Sequence, residues 1–116
     1  MLTEKDYCDY DTCVALKELG YPEHEIISYD FNLLLYDAQK WLREEFGMLV
    51  DSMVFADSSI DADGKVVDRW IYYSYAILNT STAEFIRSFD HSDEYDTYEE
   101  ALLEGLRQAI KILKEE

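Results

Sequence analysis

The stretch VVDRWIYYSYAILN, Val66 to Asn79, is the longest unbroken β-like run in the chain and constrains the fold more than any other feature. At a period of two, Val67, Arg69, Ile71, Tyr73, Tyr75 and Ile77 fall on one side, and Val66, Asp68, Trp70, Tyr72, Ser74, Ala76 and Leu78 on the other. Both sides are apolar in the middle. A strand with one wet face alternates cleanly between apolar and polar residues, so this one is expected to be central and covered on both faces over part of its length. Its aromatic side chains then act either as core and cross-strand partners or as a face for self-association or for another protein, with their polar tips wet. Trp70, Tyr72 and Tyr75 are the candidate interface residues, with Tyr73 in the core, or the reverse if the other face is the covered one.

The neighbouring segments supply the rest of a sheet. Met48 to Ala56 reads as a strand, and Asp63-Gly64 ahead of the long run is a hairpin signal because that pair tolerates positive φ. Asn79 to Ala83 is a second polar turn, leading to a shorter strand over Glu84 to Phe89. A three-stranded antiparallel meander results. Before it, Leu33 to Phe46 has helical spacing, with Leu34 or Leu35, Ala38, Trp41, Leu42 and Phe46 sharing a face and Gly47 as the stop. After it, Thr97-x-x-Glu100 is a capping box opening a helix whose buried stripe is Tyr98, Leu102, Leu106, Ala109, Ile110 and Leu113. Near the N-terminus, Asp11 is the expected cap of a short helix, TCVALKELG, closed by Gly20. Pro22 breaks the pattern, and residues 21–32 read as an irregular connector anchored by Tyr29 and Phe31. The expected architecture is one α+β domain: a short helix and connector over 1–32, then an α-β-β-β-α core over 33–116 with the helices on one face of the sheet.

Charge narrows the function classes. With 48% hydrophobic residues and 15% aromatics, a chain of 116 residues can bury a proper core, while 26 acidic against 10 basic residues leave a net charge of −16. Nucleic-acid backbones and anionic membranes repel such a surface. The α-β-β-β-α order is shared with the double-stranded RNA-binding domain, but that mode of binding needs positive charge near the start of the last helix. This chain has Asp93, Glu94, Asp96, Glu99 and Glu100 there, which argues against direct RNA binding. The same block, extended to Asp90, supports a different reading: Asp90, Asp93, Glu94, Asp96, Glu99 and Glu100 as phosphate mimics that occupy the basic groove of a host nucleic-acid-binding protein.

Neither a catalytic set nor a cofactor or metal site emerges. Ser59-x-Asp61-x-Asp63-Gly64 imitates the start of a calcium loop, but the first ligand is Ser59 and the twelfth position is Trp70 where a bidentate Glu is needed, so the hairpin reading is preferred. Cys8, Cys13, His24 and His91 have no zinc-module spacing. Cys13 lies near a helix start that favours a thiolate, yet Asp6, Asp9 and Asp11 oppose one. MLTEKDYCDY lacks the basic and apolar regions of a secretory signal, and no 18-residue apolar run is present. The expectation is a cytoplasmic, non-enzymatic protein with reduced cysteines and no cofactor, whose partner is itself, as a homodimer, or another protein.

YDTCVALKELGY, YDAQKWLREEFG and TYEEALLEGLRQAIKIL together resemble a group of small uncharacterised proteins encoded by gut bacteria, their phages and prophages. The shared pattern, an ALKELG-like first helix, an A-x-x-W-L-R-E second helix and a closing TYEEA helix, falls here on Ala15 to Gly20, Ala38 to Glu44 and Thr97 to Ala101. The resemblance implies a mobile-element origin and carries no activity or site residues.

Overall fold

Two long strands joined by the short turn 61–65 dominate the chain: β1, Met48–Ile60, and β2, Val66–Asn79. They pair antiparallel from Met48 opposite Asn79 to Ile60 opposite Val66, with a bulge near the tip. At the turn, the Asp61 carboxylate accepts hydrogen bonds from the amides of Asp63 and Lys65, and Gly64 takes φ 82°. This is hairpin chemistry, an aspartate carboxylate closing the turn on its own backbone. The computed structural model describes residues 6–22, 34–88 and 94–115; Tyr29, Phe31, Leu33, Phe89, Asp90 and Asp93 lie outside them.

A short β3, Glu84–Arg87, pairs with the end of β2, giving the order β1-β2-β3. Beyond β3, Tyr95 takes the third-strand position by exchanging two backbone hydrogen bonds with Tyr73. No third strand flanks β2 between Val66 and Ile71 among the described residues. The sheet is therefore three strands wide at its base and two at its tip.

The helices are α1, Tyr10–Glu18, α2, Leu35–Phe46, and α3, Tyr98–Lys114. Gly47, at φ 66°, ends α2 in the left-handed conformation and turns the chain directly into β1. Thr97 caps α3 by accepting from the Glu100 amide at 3.1 Å. Helices α2 and α3 pack on one face of the hairpin, and α1 packs on α3. Leu35, Ala38, Leu42, Met48, Val50, Tyr75, Ile77, Leu102 and Leu106 are buried together between these layers. Gly105 lets α3 approach closely, because a Cβ there would stand 2.7 Å from Val50 Cγ1 and 3.1 Å from the Tyr75 side chain.

The α-β-β-β-α core with helices on one face follows the expected order. Four boundaries differ, the first being that α2 begins at Leu35 rather than Leu33, after the extended Leu34. The cap of α1 is Asp9, whose carboxylate accepts from the Thr12 amide at 2.9 Å, so the helix begins earlier than an Asp11 cap allows. β1 continues to Ile60 instead of stopping at Ala56, because pairing with β2 carries the polar residues Asp57, Ser58 and Ser59 into the ladder. β3 stops at Arg87, two residues short of Phe89.

Candidate functional site

Pairing register assigns each side chain of the hairpin to a face. Met48, Val50, Ser52, Val54, Ala56 and Ser58 share one with Asn79, Ile77, Tyr75, Tyr73, Ile71 and Arg69; Met53, Phe55 and Asp57 share the other with Ser74, Tyr72 and Trp70. The helices cover the first face only at its base. Ser52 donates its hydroxyl to the Tyr98 carbonyl at 3.1 Å, and Tyr98 meets Tyr73 edge-on with 6.4 Å between ring centroids. The first turn of α3 thus lies over Ser52 and Tyr73, and the hairpin projects past it.

Beyond that point apolar side chains meet water. Met53, Val54, Ile60, Val66 and Val67 are all exposed, Ile71 is 64% exposed, and Trp70 is 39% exposed. An open cleft of about 660 Å³ runs along this arm, lined from both faces of the ribbon by Ala56, Asp57, Ser58, Val66, Arg69, Trp70 and Ile71. Isolated two-stranded hairpins are marginal in water, and contiguous exposed apolar surface of this kind marks contact sites. The arm is accordingly the candidate functional site.

The sequence-derived interface residues separate on the structure. Trp70 lies on the arm and is accessible, whereas Tyr75 is 2% exposed beneath α3 and Tyr72 is 4% exposed, stacked on Phe55 at 5.5 Å. Tyr72 and Tyr75 are thereby corrected from contact residues to core residues: the apolar middle of β2 is buried on both faces, which leaves its N-terminal half as the accessible part. Burial, followed by the Asp57 and Glu94 carboxylates, pushes the Tyr72 phenol above its ordinary value, and burial with Asp51, Tyr36 and Glu99 does the same to Tyr98. Both stay neutral. Sequence reasoning missed Val54, Ile60, Val67 and Ile71, although the alternation that places them on one face is visible in the chain.

The arm's edges carry a second pattern. Asp51, Asp57 and Asp68 each accept a hydrogen bond from the next residue's amide, those of Ser52, Ser58 and Arg69, at 2.8 to 2.9 Å. Those amides point away from the partner strand, since alternation groups Arg69 with Tyr73, whose amide reaches outward to Tyr95. Gln39 of α2 likewise covers the outward Val50 carbonyl at 2.6 Å. Each such plug withdraws an edge group from pairing with another strand.

The acidic block is placed in part. Glu94, Asp96 and Glu100 are exposed and Glu99 is half-buried, with Glu99 and Glu100 in the first turn of α3, where a helix N-terminus favours carboxylates in any case. Cys8 and Cys13 are buried thiols with no disulfide between them, and the hydrogen bond between the two side chains, together with burial, pushes the Cys8 thiol far above its ordinary value. That disfavours nucleophilic use. Among the described residues, no three His, Cys, Asp or Glu side chains gather as a metal site requires, and no helix is long and apolar enough to cross a membrane.

The chain matches no protein-family model, no curated protein and no solved structure.

Proposed function

We propose that this protein is a small acidic interaction module, of mobile-element origin, that acts by docking another polypeptide on the projecting β1–β2 arm. The observation that carries this reading is the run of exposed apolar side chains on the arm, Val54, Ile60, Val67, Trp70 and Ile71, on a ribbon that nothing in the described chain covers. Burying such side chains is worth roughly 1.5–3 kcal/mol each, and an arm of two strands gains order from that cover. A solubilising role suits the −16 charge, which keeps the free protein dispersed while an apolar surface waits for its partner. No catalytic step is assigned. Its residues are contact residues only.

The test is comparative capture. Immobilised wild-type protein and a Trp70→Lys/Ile71→Lys variant are incubated with untagged copies of the chain and with nuclease-treated bacterial lysate, and the retained chains are compared. The reading expects a polypeptide, whether a second copy or another protein, that the wild type retains and the variant loses. Equal retention by both would remove the arm as the contact surface.

A further inference from the structure

We infer that the arm is occupied by a second copy of this chain, seated on the arm's helix-side face and packed ribbon face to ribbon face. This rests on the arm being the contact surface and adds which face and which occupant.

Charge distribution selects the face. Val54, Ala56, Ser58, Arg69, Ile71 and Tyr73 share the helix-side face by register, and Ile60 and Val67 fall on it by alternation. No carboxylate is among them, although 26 of the 116 residues are acidic. The opposite face of the same arm carries Asp57 and Asp68 beside Trp70. A cationic partner would be drawn to that opposite face and would meet Arg69 on this one. For a protein of charge −16, an acid-free apolar surface is where two copies can approach without carboxylates facing each other. A twofold arrangement would set Val54 and Ile71 of each ribbon against the same residues of its mate.

The edges disfavour the other geometry. Strand addition uses outward amides, and on the arm those of Ser58 on β1 and Arg69 on β2 are held by Asp57 and Asp68. From Met53 to Ile60 the arm is roughly 25 Å long at about 3.3 Å per residue, which places one ribbon face at the small end of specific interfaces, well below about 800 Å² per partner. The dimer is therefore of the weak, reversible kind.

Sedimentation equilibrium of the full chain, from about 1 μM to about 1 mM, tests this with four variants. The wild type is expected to pass from 13.7 kDa to twice that mass. Ile71→Lys and Val67→Lys, at positions 64% and 62% exposed in the single chain and so tolerant of change, are each expected to raise the dissociation constant at least thirtyfold, as loss of a central contact does. Met53→Lys on the opposite face, at a position 48% exposed, and Asp57→Ala, which frees the Ser58 amide, are expected to leave it within about threefold. A dimer that survives Ile71→Lys but is lost in Met53→Lys, or that tightens in Asp57→Ala, would overturn the face assignment and leave the arm as the contact surface. A wild type that stays at 13.7 kDa throughout would overturn the second copy as occupant, and the capture comparison would then decide whether the arm binds anything else.

Discussion

At the scale of single residues, Gly105 shows how tightly α3 is seated. A methyl group there would collide with Val50 Cγ1 at 2.7 Å, and the neighbouring Tyr75 ring base at 3.1 Å leaves it no room to move aside. Alanine gains about 1 kcal/mol of helix propensity over glycine, but forcing a methyl into a packed layer costs about 1–3 kcal/mol. Gly105→Ala should therefore lower stability by about 1 kcal/mol in urea titration, and the loss it causes should be smaller when measured in a Val50→Ala background, where the colliding methyls are gone. Thr12 is the converse case. Its hydroxyl is buried with no hydrogen-bond partner among the described residues, a cost of about 1–3 kcal/mol, so Thr12→Val should raise stability by about 1 kcal/mol. Asp9 is pulled in two directions: burial raises its carboxyl, but the hydrogen bonds from Thr12 and Arg107 outweigh that and hold it below its ordinary 3.8. Its contribution is thus complete above about pH 4 and is lost as the pH falls through the lower folded value. Asp9→Asn keeps a capping oxygen and loses the charge, so the stability gap between wild type and variant, under about 1 kcal/mol for so exposed a pair, should close in acid. The Gly105 and Thr12 features could not be read from the chain, because each depends on an element distant in sequence; the Asp9 cap on Thr12 is local, and only its pairing with Arg107 is not.

At the scale of elements, α1 is seated by Cys13 and Leu16 in the core and tied at its ends. Asp9 pairs with Arg107 and Glu18 with Lys114, so two contacts to α3 pin a nine-residue helix that could not persist alone. Arg107 also reaches Glu104 at 3.4 Å; burial alone would lower its basicity, and the two carboxylates raise it instead. Beneath this clamp lie Cys8 and Cys13. In the wild type their alkylation at pH 7 should be slow. Arg107→Ala/Lys114→Ala should speed it at least about tenfold by populating local opening of α1, read by mass spectrometry under native conditions. The helices were largely legible: glycine stops at Gly20 and Gly47, the Thr97 cap and the apolar stripe of α3 all act locally. Their packing partners were not. For β2, period two assigned the faces correctly, but both faces are apolar in the middle, so alternation could not say that Tyr72 and Tyr75 are covered while Val67 and Ile71 are bare. The extension of β1 over Asp57 to Ile60 lacks any strand-like pattern and exists because β2 provides a template. One edge signal was present in the chain: Asp-Ser occurs at Asp51-Ser52 and again at Asp57-Ser58, the spacing at which an aspartate can plug the next outward amide.

At the scale of the whole molecule, the arm sets the shape. The extents are 59 × 36 × 20 Å and the radius of gyration is 16.6 Å, against about 13 Å for a compact domain of this length. A body of helices on sheet carries most of the core, and the ribbon reaches outward with its acid-free face bare. Net charge then acts as a control on association. Two copies at −16 repel at long range, and that repulsion fades as the screening length falls from about 10 Å at 0.1 M salt toward about 3 Å at 1 M. Self-association through the apolar face should therefore strengthen between low salt and about 0.5 M, whereas capture of a basic protein by the acids around Glu94 and Glu100 would weaken over the same range. Light scattering across a salt series separates the two.

The most direct measurement is native-state hydrogen exchange on the arm as a function of protein concentration. Alternation places the amides of Met53, Phe55 and Asp57 inside the β1–β2 ladder, bonded to β2 and therefore sensitive to whether the ribbon is covered. If a second copy covers the arm, these amides exchange rapidly at about 1 μM and become strongly protected at about 1 mM, while the amides of α3 keep the same rates throughout. If their exchange is identical at both concentrations, the arm is not the surface on which copies of this chain meet, and the account given for its exposed face is wrong.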